Sequence, residues 1–419
     1  MTTRDRGALR WQWRGVSFAE LLWLLLGLGF VVRLVLAFKT QGSVFDLGSY
    51  VLVKDALREH PLHVYSVVNS ATTYRWPYPS GYFPVVALVA TFAKLLGVAF
   101  TSLIRVPPMV ADAVIAWVVQ DYLRERGAGQ SLRLAAVGSV ALGPLFLPVS
   151  GYLGGFDSVA ILPSVLAVRL WYRRQAGGRA VWAGALIGIG TALKTVPLLM
   201  VFALLPTCRS KQEATTLLGT AIAIPAVALA PFMVADPHGV VHALSWLSIP
   251  GAGGISLLVQ PDLARIWLSS HPGQIHLTGL SHALQGHLGQ FVLGIPLVAA
   301  FLVLARRRSA PTEASSLLWL TVFAFSVNFG PRYAIWGLPF FLMSGHVGKA
   351  MIAQAFLAVP NALIYIGPFG GSTAADVYAA LMLIAWAAFA VAVTVFVVRI
   401  MRSPPGVRAR ASALVAKRG

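Results

Sequence analysis

The sequence is poor in charged residues, and the few charges it has are mostly positive. Only 11% of its 419 residues are charged and 57% are hydrophobic, whereas soluble domains average about 25% charged and about 45–50% apolar residues. One aqueous core cannot bury that much apolar surface, so the composition indicates a polytopic membrane protein. The 33 Lys and Arg outnumber 14 Asp and Glu, which gives a net charge of +19. Such an excess is typical of nucleic-acid binding, anionic-lipid binding or membrane topology, depending on where the charges lie.

Residues and motifs that mark several other kinds of chemistry are missing. The single cysteine, Cys208, excludes an intramolecular disulfide framework and a cysteine-based zinc or iron–sulfur site. The sequence has no G-x-x-x-x-G-K-[ST] loop, no G-x-G-x-x-G after a predicted strand and no D-x-D pair. Nucleotide-driven and nucleotide-sugar chemistry therefore lack a recognisable binding motif.

Long apolar runs recur along the chain, separated by charged residues, Pro or Gly. The first begins at Phe18 and is about 20 residues long, so we interpret it as a retained helix rather than a cleaved signal peptide. We predict an all-α polytopic membrane fold of about 12 transmembrane helices. They lie near residues 17–39, 105–123, 134–150, 157–172, 180–193, 196–208, 215–234, 285–305, 315–329, 332–346, 349–366 and 377–400.

The apolar segment 82–99 either spans the membrane or lies in its interface. If it lies in the interface, about two thirds of the 33 Lys and Arg fall on the cytoplasmic side, as the positive-inside rule requires. Lys94 within the segment also suits an interfacial helix. We therefore predict a multi-pass protein of the cytoplasmic membrane with both termini inside. Its positive charge is then a topology signal and not a sign of nucleic-acid binding.

This threading divides the chain into five parts. They are a basic cytoplasmic N-terminus (1–16), an N-terminal transmembrane catalytic module (17–234) with an outer loop (40–104), a second outer loop (235–284), a C-terminal transmembrane module (285–400) and a basic cytoplasmic tail (401–419). Interfacial helices are expected in the first outer loop. The active site is expected to face outward.

A few charged residues fall within or beside the predicted spans, where each is costly unless it has a partner or a function. They are Arg33, Lys39, Asp46, Asp112, Asp157, Lys194 and Arg332. Nearly all lie in the outer half of the threading, which favours an enzyme of the outer leaflet over a carrier with charges near the midplane. Asp112 lies about two turns into its helix and is predicted to form a structural pair with a basic residue of a neighbouring helix.

The two outer acids each have two interpretations on spacing alone. Asp46, in GSVFDLGSY, fits the N-cap of a helix through residues 50–57 better than it fits a general base at the membrane edge. Asp157, in SGYLGGFDSVAILP, also fits an N-cap at the start of a span. On spacing alone, capping is the favoured role for both acids.

The outer basic residues also have two interpretations. Lys194 and Arg332 either snorkel to the membrane surface or bind phosphate, for which Arg offers a bidentate fork and Lys a point charge. Arg75 and Arg265, in the two long outer segments, are weaker phosphate-binding candidates of the same kind.

Five stretches share an order and spacing that is informative as a set. They are FDLGSY with Asp46, YPSGYFP from Tyr78 to Pro84, GYLGGFDSVAILP, ALKTVPLLM and GPRYAIWGLPF. Together they resemble the C-type glycosyltransferase superfamily of membrane enzymes, and most closely its bacterial mannosyltransferases that use polyprenyl-phosphate sugars. The resemblance samples the chain from about residue 40 to 341.

The resemblance implies transfer of a hexose, expected to be mannose, from a polyprenyl-phosphate donor to a lipid or glycan acceptor. Asp46 takes the position of the catalytic carboxylate, which would deprotonate the acceptor hydroxyl during a direct, inverting attack. Lys194 and Arg332 take basic positions suited to the phosphate of the sugar donor. Asp157 takes a polar position that lines the same cavity.

Further residues near these motifs are assigned to the substrate cavity. They are Trp76, Tyr78, Tyr82, Asn328 and Tyr333. The first three either stack on sugar faces or anchor the protein at the interface. Gly155 stands where the superfamily commonly has Gln, and Gly48 stands where a second acid is familiar. No divalent metal or other cofactor is therefore expected.

A flippase or transporter of a lipid-linked sugar is the alternative function, and a non-catalytic assembly subunit is a third. A transporter shares the need for basic outer residues, but it predicts midplane charges and repeated halves that the sequence does not show. The expected partners are the sugar donor, the acceptor and membrane lipids, without nucleic acid.

Overall fold

The computed structural model describes residues 16–70, 75–173, 178–245, 250–268, 276–366 and 372–402. Within these ranges the chain is helical and contains no β-strand, which confirms the predicted all-α class. Most of the predicted N-terminal segment (1–16) and basic tail (401–419) lies outside the described residues.

Eleven helices occur in the described residues of the first half of the chain. They are α1 (Phe18–Lys39), α2 (Val44–Glu59), α3 (Val64–Asn69), α4 (Phe83–Leu96), α5 (Phe100–Leu103), α6 (Val106–Glu125), α7 (Gln130–Ala141), α8 (Phe146–Pro148), α9 (Asp157–Arg173), α10 (Arg179–Leu193) and α11 (Leu199–Leu204). Short 3-10 helices cover Ser80–Tyr82, Val196–Leu198 and Leu205–Thr207, and a π-turn covers Val149–Leu153.

Ten helices of the described residues follow in the second half. They are α12 (Lys211–Ala235), α13 (Pro237–Leu244), α14 (Ile255–Val259), α15 (Arg265–Leu268), α16 (Gly279–Gln285), α17 (His287–Arg307), α18 (Pro311–Phe325), α19 (Leu338–Met343), α20 (Val347–Tyr365) and α21 (Ser372–Arg402). Two more 3-10 helices cover Pro261–Ala264 and Pro331–Trp336.

Seven helical stretches in the described residues are long and apolar enough to cross a membrane. They are Phe18–Lys39, Phe100–Glu125, Gln130–Leu153, Lys211–Ala235, His287–Arg307, Val347–Tyr365 and Thr373–Arg402. Each corresponds to one of the twelve predicted spans. The other five predicted spans are helical but shorter or interrupted, so the count of twelve is not confirmed. The 180–208 region forms two short helices, because the chain is extended at Lys194 and Pro197 begins a new turn.

Helix α4 covers most of the segment predicted to lie in the membrane interface. Its 14 residues rise about 21 Å, which is less than the bilayer's hydrocarbon thickness of about 30 Å. Phe83, Val86 and Val89 pack inward, whereas Leu88 and Leu95 are exposed. A short helix with one apolar face outward suits the interface better than a crossing.

Helix α10 lies at the centre of the bundle, between α9 and α12. Gly184 and Gly188 are four residues apart and both face α12. A Cβ atom at Gly184 would lie 2.6 Å from the carbonyl oxygen of Leu217, and one at Gly188 would lie 3.0 Å from that of Thr220. This small-x-x-x-small pattern brings the two backbones close together, as in many membrane helix pairs.

A buried ion pair fixes α1 against α6 and α7. The Arg33 guanidinium lies 3.1 Å from the Asp112 carboxylate and also donates hydrogen bonds to the backbone carbonyls of Val140 and Ala141. Ser150 donates a further hydrogen bond to Asp112. The predicted structural pairing of Asp112 is therefore confirmed, with Arg33 as its partner.

The far end of the bundle carries a second group of ion pairs. Arg169 and Arg173, near the C-terminus of α9, bind Asp121 and Glu125 near the C-terminus of α6. Asp157 begins the same helix α9, so it lies about 18–24 Å from these two arginines along the axis. The charges of the described bundle are thus concentrated at its two ends, with the Arg33–Asp112 pair between them.

Replacing Asp112 with Ala should destabilise the protein by about 3–5 kcal/mol, because Arg33 would keep a buried charge without its partner. The double variant Arg33→Met with Asp112→Ala should lose less stability than the two single variants added together. Arg124→Ala removes a partner of Asp121 that is 57% exposed, and should change stability by about 0–1 kcal/mol. Denaturant unfolding of the purified protein in detergent measures all four. Strictly additive single losses would contradict the coupling.

Candidate active site

One cavity of about 410 Å³ collects most of the residues that the sequence singles out. Eight of the predicted site residues line it. They are Asp46, Arg75, Trp76, Tyr78, Asp157, Lys194, Arg332 and Tyr333. The cavity lies where α1 and α10 end and α2 and α9 begin, so helix termini supply its charged groups.

Asp46 lies in the first turn of α2. The N-cap of this helix is Ser43, whose hydroxyl accepts a hydrogen bond from the Asp46 backbone N–H at 3.3 Å and donates one to the Asp46 carboxylate at 2.8 Å. The interpretation of Asp46 as the N-cap is therefore wrong, because the helix begins three residues earlier than that interpretation requires. The Asp46 side chain therefore does not cap the helix and lines the cavity instead.

The turn before Asp46 is held by Arg105. Its guanidinium donates hydrogen bonds to the backbone carbonyls of Thr40 and Gln41, at 3.3 and 2.7 Å, and to the carbonyl of Leu36 at the end of α1. Gly42 within the turn has φ +72°, and a Cβ atom there would collide with Arg105 and with the Tyr152 carbonyl. A buried cation and a glycine thus set the direction in which α2 begins.

The Asp46 carboxylate pairs with Arg332. Arg332 Nη1 lies 3.1 and 2.9 Å from the two carboxylate oxygens. The Arg332 guanidinium also lies 4.9 Å from the ring centre of Tyr365 and 5.4 Å from that of Tyr333. Arg332 therefore does not snorkel, since it is buried against aromatic rings and a carboxylate.

A second pair joins Asp157 and Lys194. The Lys194 ammonium bonds to Asp157 Oδ1, and the Trp336 indole N–H donates to the same oxygen at 2.6 Å. Four aromatic ring centres surround Lys194 Nζ at 4.8–5.4 Å, in Tyr78, Phe156, Tyr333 and Trp336. This cation is buried and caged, so it does not snorkel either.

The cavity keeps an excess of positive charge and two unused donors. Its two carboxylates are matched by Arg332 and Lys194, whereas Arg75 has no carboxylate partner among the described residues and donates to the Asn69 carbonyl at 3.0 Å. Arg332 Nε and Trp76 Nε1 are buried and make no hydrogen bond within the described protein. Buried donors normally have partners, so the site suits a polar anionic ligand.

Aromatic side chains form the wall behind α2. Tyr82 is fully buried and stacks on Phe156 with 4.5 Å between ring centres, and Trp76 stacks on Phe156 at 5.6 Å. The Tyr50 hydroxyl donates to the Gly154 carbonyl at 2.9 Å. Burial raises the pKa of the Tyr50 and Tyr78 phenols well above the ordinary value, so both stay neutral hydroxyls.

Three predicted site residues do not line the cavity. Tyr82 lies behind its wall. Asn328 exchanges hydrogen bonds with Gln285 at 2.8 and 3.3 Å. Arg265 is half-exposed and lies 3.9 Å from Asp376.

The structure adds lining residues that the sequence analysis did not identify. Ser43 has a detectable signal, because a Ser three residues before an acid is typical of a helix start. Trp336 does not line the cavity but donates a hydrogen bond to Asp157, and it lies within the GPRYAIWGLPF stretch. Tyr365 and Trp267 also line the cavity, but no motif in the neighbouring sequence indicates this.

No group of three or more His, Cys, Asp or Glu side chains suited to a metal ion occurs in the described parts of the chain. Metal independence remains a prediction. Gly155 lines the cavity, and a Cβ atom there would lie 3.0 Å from Asp157 Oδ2. A larger residue at this position would therefore crowd the Asp157–Lys194 pair.

Comparison with known proteins gives structural likenesses but no curated relative. No curated protein matches the chain. An oligosaccharyltransferase from Archaeoglobus fulgidus, crystallised with a tethered acceptor peptide, aligns over 90% of this chain at 14% identity with a TM-score of 0.38. The aligned part spans 55% of that archaeal chain. A likeness this weak carries no argument about the site.

Comparison with protein-family models assigns the chain to a family. The model of glycosyltransferase family 87 matches residues 76–328, which is more than half of the chain. The matched range includes Asp157 and Lys194, whereas Asp46 precedes it and Arg332 follows it by four residues. The chain belongs to glycosyltransferase family 87, a family of the C-type glycosyltransferase superfamily.

Proposed function

We propose that the protein transfers a hexose, mannose in the first instance, from a polyprenyl-phosphate donor to a lipid or glycan acceptor. The reaction would take place at the outer face of the cytoplasmic membrane and would invert the anomeric configuration. The Asp46–Arg332 contact supports this proposal most directly, because it places a carboxylate and a phosphate-binding cation side by side in one cavity. Family membership supports the general class of reaction.

The pairing of Asp46 with Arg332 suggests how binding of the sugar donor would make the site reactive. In this pair the Arg332 guanidinium contacts both oxygens of the Asp46 carboxylate. The phosphate of the sugar donor would compete for Arg332, since a guanidinium binds phosphate oxygens bidentately. Asp46 would then accept the proton of the acceptor hydroxyl. The acceptor oxygen would bond to the anomeric carbon while the carbon–oxygen bond to phosphate breaks, with its electron pair left on the polyprenyl phosphate.

Asp46 is a better candidate for the base than Asp157. The Asp157 side chain is 3% exposed and is held by Lys194 and Trp336, whereas the Asp46 side chain is 15% exposed. Asp157 would instead fix Lys194, whose charge would offset the negative charge that develops on the leaving phosphate. Trp76, Tyr78 and Trp267 line the same space and would supply flat apolar surfaces for the sugar.

Transport of a lipid-linked sugar is the second candidate, supported by the cations near one membrane face. It requires movement of the substrate between two faces, whereas the charged residues that line this cavity lie at helix ends, except Arg75, which lies in a loop. An assay in detergent distinguishes the two functions, because a detergent solution has no second compartment into which a substrate could be transported. Cleavage of polyprenyl-phosphate mannose with formation of a mannosylated acceptor there would support the enzyme, and its absence with every sugar donor and acceptor tested would contradict it.

Replacing Asp46 with Asn should lower the turnover of sugar transfer by about 10²–10⁴-fold, because an amide cannot accept the acceptor proton. Asp55→Asn on the same helix is the matched control, since Asp55 is half-exposed and pairs only with Lys54 among the described residues. Radiolabelled sugar transfer in purified protein measures both. Turnover of the Asp46→Asn variant at the rate of the control would remove Asp46 from the mechanism.

Replacing Arg332 with Gln should lower kcat/KM for the sugar donor by about 10²–10³-fold, because a charged donor to the leaving phosphate is lost. KM for the acceptor should change much less. Arg58→Gln, an exposed basic residue of α2, controls for the general loss of a positive charge on this side. Equal losses in both variants would indicate a diffuse electrostatic effect rather than a phosphate contact.

The identity of the sugar is tested with a panel of polyprenyl-phosphate mannose, glucose and arabinose. Purified protein should form product fastest with the mannose donor, detected by mass spectrometry of the acceptor. A faster reaction with another sugar would change the named hexose and leave the roles of Asp46 and Arg332 as proposed.

A further inference from the structure

A second cavity, of about 530 Å³, lies between α18, α19, α20 and α21. All but two of its lining residues are apolar. The exceptions are His346 and Lys349, which lie together beside the N-terminus of α20. Tyr365, at the opposite end of α20, lines the catalytic cavity, so the two polar residues lie about 24–28 Å from that site along the helix.

The cavity is a groove that opens to the side of the bundle. Along α21 it extends from Ile384 to Phe396, which is about 18 Å of helix. Its rim is exposed and apolar, as at Ile352 (72% exposed) and Val391 (63% exposed). Half of a bilayer's hydrocarbon core is about 15 Å thick, so the groove is as long as one leaflet is deep.

The charges at one end of the groove are mainly positive. Lys349 is exposed, and the His346 ring packs edge-on against Phe396 with 5.4 Å between ring centres. Arg399 lies one turn beyond Val395 on α21 and, like Lys349, acts electrostatically on His346. Among the described residues, Glu313 is the acid that acts electrostatically on His346, against two cations, Lys349 and Arg399. Arg399 and Glu313 each also interact with other residues of the protein.

We propose that this groove binds an anionic phospholipid from the leaflet opposite the catalytic cavity. One acyl chain would lie in the groove, and the phosphate would bind Lys349 and His346. A basic site between transmembrane helices beside an apolar cleft is the arrangement that recognises anionic head groups. The proposal does not depend on the sugar-transfer reaction.

The polyprenyl tail of the sugar donor fits this groove less well. Its phosphate is proposed to bind Arg332, near the C-terminal end of α20, whereas the groove's cations lie at the N-terminal end. A tail threaded from the catalytic cavity would leave Lys349 and His346 without a ligand. The charge arrangement therefore favours a lipid that enters from the opposite leaflet.

The test is competitive lipid binding to purified full-length protein, measured by native mass spectrometry with phosphatidylglycerol and phosphatidylcholine. The wild-type protein should retain phosphatidylglycerol in preference to phosphatidylcholine. Lys349→Gln should weaken phosphatidylglycerol binding about fivefold, the value expected for loss of one basic residue near the membrane surface. Lys211→Gln is the matched control, because Lys211 is an exposed residue at the start of α12 and lies outside the groove.

A groove-filling variant makes the test independent of charge. Ala388 is exposed in the groove wall on α21, so Ala388→Trp should reduce phosphatidylglycerol binding without lowering the unfolding temperature. Equal losses in the Lys349 and Lys211 variants, or unchanged binding in Ala388→Trp, would overturn the proposal. Displacement of polyprenyl phosphate rather than phosphatidylglycerol by Ala388→Trp would also overturn it and assign the groove to the sugar donor's tail.

Discussion

The contact between Asp46 and Arg332 joins two parts of the chain that are 286 residues apart, and the arrangement of the cavity depends on it. Asp46 reaches this position because Arg105 and Gly42 set the turn that precedes α2. Arg332 reaches it through the short helix between α18 and α19. The pair neutralises the buried Arg332 guanidinium and the partly exposed Asp46 carboxylate. Binding of the sugar donor would change this contact, since its phosphate would compete with Asp46 for the Arg332 guanidinium.

The cost of placing charge in a membrane explains why the site lies at helix ends. Asp157 begins α9 and Lys194 follows α10, so both reach the cavity from the ends of antiparallel neighbours. Ion pairs, aromatic rings and hydrogen bonds compensate each of these buried charges. The opposite end of α9 carries a second set of ion pairs, in which Arg169 and Arg173 bind Asp121 and Glu125 of α6. The bundle therefore has two chemically different ends, one with a cavity and one closed by ion pairs.

Much of this organisation could be predicted from the sequence, because charged residues are rare in it and a charge within a membrane needs a partner or a function. The helical class and the pairing of Asp112 with a basic residue follow from that scarcity, whereas the grouping of Asp46, Asp157, Lys194 and Arg332 in one cavity was implied by the resemblance to C-type glycosyltransferases. The number of spans did not follow, since helices such as α10 and α18 are apolar but only 15 residues long. Tyr365 could not be anticipated, because a tyrosine at the end of an apolar helix looks like an interface anchor. Which aromatic residues face the cavity depends on tertiary packing.

A structure determined by electron cryomicroscopy with polyprenyl-phosphate mannose bound would test the central claim most directly. We expect the phosphate oxygens within hydrogen-bonding distance of Arg332, the Asp46–Arg332 contact opened, and the anomeric carbon facing the Asp46 carboxylate. A phosphate bound away from this cavity, with Asp46 and Arg332 still paired, would contradict the account.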